Sequence, residues 1–495
     1  MIKNISKYFI IGLLAVGIVS CDPGDFGDLN DNPNATTTPI ASALLTNAIN
    51  SVDDVVNATQ GQHYVQYLAN SQYTSADNYQ TIQWNYGGWY SGPLMDLQQI
   101  ITLNTDEETK DQASQYGSNE NQIAVAQILQ SFFYMHVTDR WGDIPYSEAL
   151  QITDGIRQPS FDTQESVYNS ILSTLATAQA NISSSNPVQG DILFGGNMDR
   201  WKEFANTLRM IMALRLSEAD AAKGSQEFNA ALTAGILSEN IAYTHLENAN
   251  FESPWNSRFD TRRDYCVANT LVDRMQTVGN GGVLNAAMDA RLPVYADPTE
   301  STGEYVGMPY GLTEAEAGGV SNTDVSFLGA AMREQASPTY IFTMAQAYFS
   351  MAEAALLGWI ADSPEDLYYD GIRASFEQYG VEDGYFDADN NMVAPGYDSY
   401  ITNDWVVYDP ANAREQILTQ KWIANFLNGY EAWSDWRRTD FPELDPAENA
   451  LNNSGEIPVR QAYPQFESNL NSDNYDAVVA RQGEDGLDTP IWWDK

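Results

Sequence analysis

Apolar residues return at intervals of three and four along several long stretches of this chain, the period of one face of an α-helix. Val125, Leu129, Phe132 and His136 fall on one stripe, with Ala126, Phe133 and Val137 beside it. Tyr168, Ile171, Leu172 and Leu175 make a second, and Asp162 with Glu165 ahead of it has the spacing of an N-cap and its capping-box partner. Trp201, Phe204, Ala205, Leu208, Ile211, Met212 and Arg215 make a third. Ile341, Ala345, Tyr348, Ala352, Ala355 and Trp359 make a fourth, whose alanines let a neighbouring helix approach closely. Ile417, Leu418, Trp422 and Asn425 begin a fifth. No comparable series of alternating strands is present, so the expected class is all-α. Between the helices lie long segments at about 72–93, 138–160, 243–266, 279–337, 380–412 and 439–495. They exceed ordinary loop lengths and are rich in Trp, Tyr, Asn and Gly, which points to ordered, functional loops rather than linkers.

Charge narrows the function. Lys and Arg number 24 against 67 Asp and Glu, a formal charge of −43 over 495 residues. A nucleic-acid binder needs a basic footprint, and an anionic membrane surface repels such a chain for the same reason. With only 18% charged residues, most polarity comes from neutral side chains, and 43% hydrophobic residues suffice for a large core.

The N-terminus reads as an address. Lys3 and Lys7 precede an apolar run of 12 residues, Tyr8–Val19, too short to span a bilayer. Ser20 then stands directly before Cys21. The arrangement resembles a bacterial lipoprotein signal, in which the cysteine thiol carries diacylglycerol, the peptide is cut before it and the new amine is usually acylated; more than one acyl chain gives stable anchoring. This divides the chain into a signal peptide (1–20), a lipidated Cys21 with a Pro-, Asn- and Asp-rich tether (21–39), and a folded body (40–495). With Cys21 lipidated, Cys266, the second of two cysteines, has no disulfide partner and is expected as a small buried apolar residue.

Catalytic signatures are scarce. The three histidines, His63, His136 and His245, have no metal spacing, and His136 sits on an apolar stripe as a core residue. There is no GxSxG and no P-loop, and Gly279, Gly281 and Gly282 read as a turn. No cofactor is expected. Asp387, Asp389 and Asn391 have calcium-loop spacing, but Met392 stands where such a loop needs glycine and Asp398 where it needs glutamate; an acidic surface turn is the expectation. The aromatic clusters lead further. Tyr73, Tyr79, Trp84, Tyr86, Trp89 and Tyr90 lie among Asn78, Gln80, Gln83 and Asn85. A sugar has an apolar face of C–H groups and an edge of hydroxyls, so an aromatic platform with amide partners suits it. Each ring could instead pin its loop to the core. A second set is Trp255, Asn256, Arg258 and Phe259, and a third is Tyr305 and Tyr310. The binding candidates are therefore Tyr73, Asn78, Trp84, Tyr86, Trp89, Tyr90, Trp255, Tyr305 and Tyr310.

Taken in order, the motifs resemble the SusD/RagB family of outer-membrane lipoproteins. LNDNPNATTTP (29–39), DRWGDIPYSEAL (139–150), RWKEFANTLRMIMALRLS (200–217), SPTYIFTMAQAYFSMAEAALLGW (337–359), ILTQKWIANFLNGYEAWSDWRRTDFPEL (417–444), IPVRQAYPQFESNLN (457–471) and TPIWWDK (489–495) carry the likeness. The resemblance implies an array of tetratricopeptide-like helix pairs whose irregular loops form a ligand-binding face. It implies a non-enzymatic, surface-exposed protein that captures oligosaccharides and passes them to a SusC-like TonB-dependent transporter. Asp22 and Asp25, following the lipidated cysteine, fit export to the outer surface. The other readings are peptide capture on the same scaffold, and a surface glycoside hydrolase. The family's recurring motifs map to scaffold, so the aromatic candidates rest on composition and position.

Overall fold

A computed structural model describes residues 39–276 and 288–494. The signal peptide, Cys21, Asp22 and Asp25, the tether up to residue 38, and the glycine-rich turn at 279–282 lie outside the described residues.

Helices of six residues or more are α1 (Ala41–Val56), α2 (Thr59–Tyr64), α3 (Met95–Thr105), α4 (Asn119–Trp141), α5 (Gln164–Asn181), α6 (Met198–Arg215), α7 (Ala221–Ala234), α8 (Pro254–Phe259), α9 (Asn269–Gln276), α10 (Met344–Leu356), α11 (Pro364–Gln378), α12 (Ala413–Ala424), α13 (Gly429–Thr439), α14 (Gln465–Leu470) and α15 (Ser472–Gln482). The strands are β1 (Leu68–Asn70), β2 (Ile144–Pro145), β3 (Phe161–Asp162), β4 (Ile241–Tyr243), β5 (Tyr265–Val267), β6 (Thr339–Phe342), β7 (Gly384–Phe386) and β8 (Met392–Pro395). They form only two-stranded antiparallel pairs, β1 with β5, β2 with β3, β4 with β6 and β7 with β8. The body is the helix-rich, tetratricopeptide-like array that the periodicity and the resemblance lead one to expect. Successive helices pack as neighbours: α3 on α4, α4 on α5, α5 on α6, α6 on α7, and separately α10 on α11 and α12.

The helix ends refine the sequence reading. The N-cap of α5 is Thr163, whose hydroxyl accepts from Ser166 N, and not Asp162. Asp162 is drawn away by distant partners: its carboxylate accepts from Tyr146 N (3.2 Å) and Ser147 N (2.7 Å). The fourth stripe is shorter than its apolar pattern. Ile341 lies in β6, Thr343 caps α10, and the helix ends at Leu356 before Gly358 turns the chain with φ 71°. Cys266 is buried and unpaired, as expected.

Two hydrophobic clusters form the bulk of the core. One gathers α1, α3, α4, α5 and α6; the other gathers α2, α9, α10, α11, α12 and α13. Charged residues also lie buried among these helices, and several are held by opposite charge. Arg215 of α6 bridges Asp139 of α4 (2.6 Å) and Glu431 of α13 (2.5 Å). Tyr168 of α5 and the Trp493 indole (3.1 Å) also donate to Asp139. On α13, Asp435 accepts from Lys421 of α12 (2.8 Å) and Arg438 (3.1 Å), and Arg438 reaches Glu353 of α10 (2.5 Å). Removing one member would strand a buried charge, a loss of about 3–5 kcal/mol for such pairs.

Helix α13 also crosses α2 at a pair of glycines. A Cβ on Gly61 would stand 2.6 Å from Tyr430 N, and one on Gly429 only 2.3 Å from Gln62 N. Backbone therefore meets backbone, and no side chain can give way.

Two expected outcomes follow. Gly61→Ala or Gly429→Ala lowers stability by about 1–3 kcal/mol through overpacking, read as a shift of the urea midpoint at constant m, whereas Gly88→Ala, with open space around its Cβ, leaves it unchanged. The second concerns His136, whose pKa burial and the nearby Arg140 and Arg215 hold well below the ordinary 6.5. The folded state thus refuses a proton that the unfolded chain takes up, so this contribution to stability is intact above pH 6.5 and lost as the pH falls below it. His136→Gln should flatten that part of the stability–pH curve in chemical denaturation at pH 5, 6 and 7.5; an identical slope in both proteins would refute the assignment.

Candidate functional site

Residues 80–94 form an arm laid along the array. It is pinned from far along the chain: Gln83 bridges Ala462 in parallel register, Ala462 N donates to Ile82 O (3.1 Å) and the Trp141 indole donates to Ala462 O (2.9 Å). Asn85 Oδ1 accepts from Gly87 N (2.7 Å) and starts a single turn, Gly87–Trp89. That turn widens into a π-type segment, Tyr90–Leu94, kinked at Gly92 and Pro93, before α3 begins. The wider turn aims consecutive rings at α4, an arrangement frequent where helices serve a site. Trp89 packs on Phe133 and His136 with centroids 5.8 and 5.4 Å away, and Tyr90 meets Tyr134 at 6.0 Å.

Rings and amides alternate in exposure along the arm. Gln80, Thr81, Ile82, Gln83, Asn85, Gly88 and Ser91 are exposed, while Trp84, Trp89 and Tyr90 are half-buried. The Trp84 indole donates to Thr81 O at 3.3 Å, which holds the ring within its own loop. The arm therefore presents neutral donors and acceptors beside partly accessible rings.

Beside the arm opens a cleft of about 360 Å³. Tyr86, Gly87, Tyr90 and Ser91 form one wall; the others come from Pro145–Pro159 and from α14 with Asn471. Tyr86 and Glu467 are both buried there, and the Tyr86 hydroxyl donates to Glu467 Oε1 (2.7 Å). Burial raises the Glu467 pKa, against the hydrogen bonds from Tyr86 and Asn471 that lower it. Ile152 (61% exposed) and Leu470 (69%) stand at the rim. Two of the sequence candidates, Tyr86 and Tyr90, lie on the arm's wall of the cleft, and none lies on the opposite one. The available signal was the set Leu150, Ile152 and Ile156, apolar residues in a segment with no helical or strand period.

The remaining candidates are dispersed. Tyr73 is 57% exposed at φ 58°, a left-handed conformation that is strained for a bulky residue, with the Arg262 guanidinium 5.1 Å from its ring centroid. Asn78 is buried and ties loops together, donating to Leu312 O (2.8 Å) and Thr74 Oγ1 (3.2 Å). Trp255 is 2% exposed in the second core cluster, and its indole donates to Asn57 Oδ1 (2.7 Å). The Trp255 and Tyr86 (1%) rings are thus closed to a stacking ligand in this structure, because their own cores cover them. Tyr305 and Tyr310 are half-buried at the edge of the second cluster, and Tyr310 donates to His63 O (2.7 Å). Asp387 heads the tight turn between β7 and β8, where its carboxylate accepts from Asp389 N (3.0 Å), Asn391 N (2.7 Å) and Asn391 Nδ2 (3.0 Å). Among the described residues no group of three or more His, Cys, Asp or Glu is placed to hold a metal ion, and no helix is long and apolar enough to cross a membrane.

Comparison with known proteins follows the same lines. A search of curated proteins found no match. Among solved structures, the chain is similar to a chitin-binding protein at 25% identity and a TM-score of 0.76, over 92% of this chain and 100% of the other. It is similar to a chitin-binding SusD homolog from Flavobacterium johnsoniae at 25% identity and a TM-score of 0.72, over 92% and 98%. A SusD homolog from Parabacteroides distasonis shares the fold at 23% identity and a TM-score of 0.75, over 92% and 98%. The model of the SusD-like family described as starch-binding and associating with the outer membrane matches residues 33–464. A match spanning nearly the whole described body, on the fold its members share, makes this chain a member of that SusD-like family.

Proposed function

We propose that this protein is a non-catalytic, lipid-anchored receptor on the outside of the outer membrane, which captures neutral oligosaccharides on the 80–91 arm and hands them to a SusC-like TonB-dependent transporter. The observation that carries the reading is the arm itself, where half-buried Trp84, Trp89 and Tyr90 alternate with exposed Gln80, Gln83 and Asn85. Rings stack on the C–H face of a sugar and amides serve its hydroxyl edge. Membership of a starch-binding, outer-membrane family supports it. A charge of −43 disfavours acidic glycans and leaves neutral ones favoured. The two relatives at 25% identity are named for chitin binding, so N-acetylated chito-oligosaccharides head the ligands to test. Anchoring rests on Cys21 in its lipoprotein-like setting, and the transporter role on the family resemblance. A binding-only role is supported by the two carboxylates that line the cleft, both engaged internally: Glu148 accepts from Ser160 N and Oγ at 2.8 Å, and Glu467 from Tyr86 and Asn471.

In calorimetric titration with chito-oligosaccharide and malto-oligosaccharide, Trp84→Ala should weaken binding of the preferred glycan about threefold. Adding Trp89→Ala and Tyr90→Ala should bring the loss to at least tenfold, about 1.4 kcal/mol, provided the thermal midpoint confirms a folded variant. Undiminished affinity in the folded triple variant would sink the site. Overnight incubation with the preferred glycan should leave its chromatographic profile unchanged; shortened products above a heat-inactivated control would convert the receptor into a hydrolase.

A further inference from the structure

The cleft beside the arm is furnished for something other than a bare sugar. Most of its polar groups already have partners within the protein. Glu467 accepts from the Tyr86 hydroxyl (2.7 Å) and from Asn471 Nδ2 (3.1 Å), and the Tyr90 hydroxyl donates to Pro145 O (2.6 Å). Gln151 Nε2 donates to Ser147 O (2.7 Å), and Glu148 is held by Ser160. The opening therefore offers mainly C–H and ring surface, from Leu150, Ile152, Ile156, Phe466 and Leu470. A sugar hydroxyl entering it would give up water and find few replacement partners, which is unfavourable. A flat aromatic group would gain from burial and from edge or face contact with Tyr90 and Phe466.

Two polar features remain available. Glu467 is 5% exposed, yet each carboxylate oxygen can accept more than the one bond it has. Arg157 is exposed at the margin and forms no ion pair among the described residues, although it belongs to a strongly acidic protein. It is the one arginine or lysine in the lining. Apolar walls, an enclosed acceptor and a lone guanidinium suit a small aromatic ligand that carries both a hydroxyl donor and an acyl oxygen. A concave volume of about 360 Å³ suits such a group better than the flat face of a protein.

We infer that the cleft receives an aromatic acyl substituent carried by the saccharide, of the hydroxycinnamoyl ester class, with the phenolic hydroxyl at Glu467 and the acyl oxygen at Arg157. The inference rests on the glycan reading, because Tyr86, Gly87, Tyr90 and Ser91 belong to arm and cleft alike. A decorated sugar on the arm would thus carry its substituent into the cleft. The protein would then select decorated over bare chains.

The test uses the chain from residue 21 onward with Cys21→Ser, which prevents lipid addition, titrated with methyl ferulate and, separately, with the undecorated glycan preferred above. Methyl ferulate should saturate the protein. Leu470→Glu and Ile152→Glu, both at exposed positions that tolerate charge, should each weaken it at least tenfold while changing undecorated glycan binding less than twofold. Arg157→Gln should weaken it about threefold, and Trp84→Ala should leave it unaltered. Failure of methyl ferulate to bind while the undecorated glycan still does would overturn the inference and leave the receptor reading standing. Methyl ferulate binding that ignores both glutamate substitutions would overturn it equally. Saturable, Leu470-dependent binding of methyl ferulate without any glycan binding would keep the aromatic site and remove the receptor reading.

Discussion

The structure depends on charge buried between helices. Arg215 of α6 joins Asp139 of α4 to Glu431 of α13, and Asp435 of the same α13 joins Lys421 and Arg438, the latter bound to Glu353 of α10. The two main hydrophobic clusters meet across this set, since α4 and α6 belong to one and α10, α12 and α13 to the other. Apolar packing alone would tolerate many relative settings of two helical layers. A guanidinium that must satisfy carboxylates on two different helices tolerates few. The close crossing of α2 and α13 at Gly61 and Gly429 adds a steric condition of the same kind. Together they set where α4 stands, and α4 is the platform on which Trp89 and Tyr90 rest.

The arm shows how a rigid array supports a polar-aromatic surface. Its backbone is satisfied by Ala462, its turn by Asn85, and its rings by Phe133, His136 and Tyr134. None of these partners is a neighbour in sequence except Asn85. The side chains left over are the neutral amides, which point the chemistry toward hydroxyl-rich ligands rather than ions. His136, neutral beneath Trp89, avoids placing a second cation next to Arg140.

Helical periodicity made the scaffold legible, because α4, α5 and α6 bury one continuous stripe each and the stripe is written in the sequence. It was less informative where the decisive partner is remote. Asp162 has the spacing of a cap but is claimed by Tyr146 and Ser147, so Thr163 takes the role. Ile341 shares the period of α10 but pairs in β6. α15 went unseen within the long C-terminal segment because only Val478 of its residues is buried, leaving no stripe to detect. Of the aromatic cluster at 73–90, Tyr86 and Tyr90 lie along the cleft, while composition could not separate Trp84 and Trp89 from Trp255, whose surroundings are core. The far wall, Leu150 to Ile156, carries no period at all, since its residues face a concavity instead of a packed neighbour.

The indole of Trp493 donates to Asp139, the same carboxylate that anchors Arg215 near the middle of the chain. Tyr168 of α5 donates to it as well, so one carboxylate gathers three chain segments, one of them 354 positions away. The setting of α4 is thus fixed in part by a donor that no local stretch of sequence could supply.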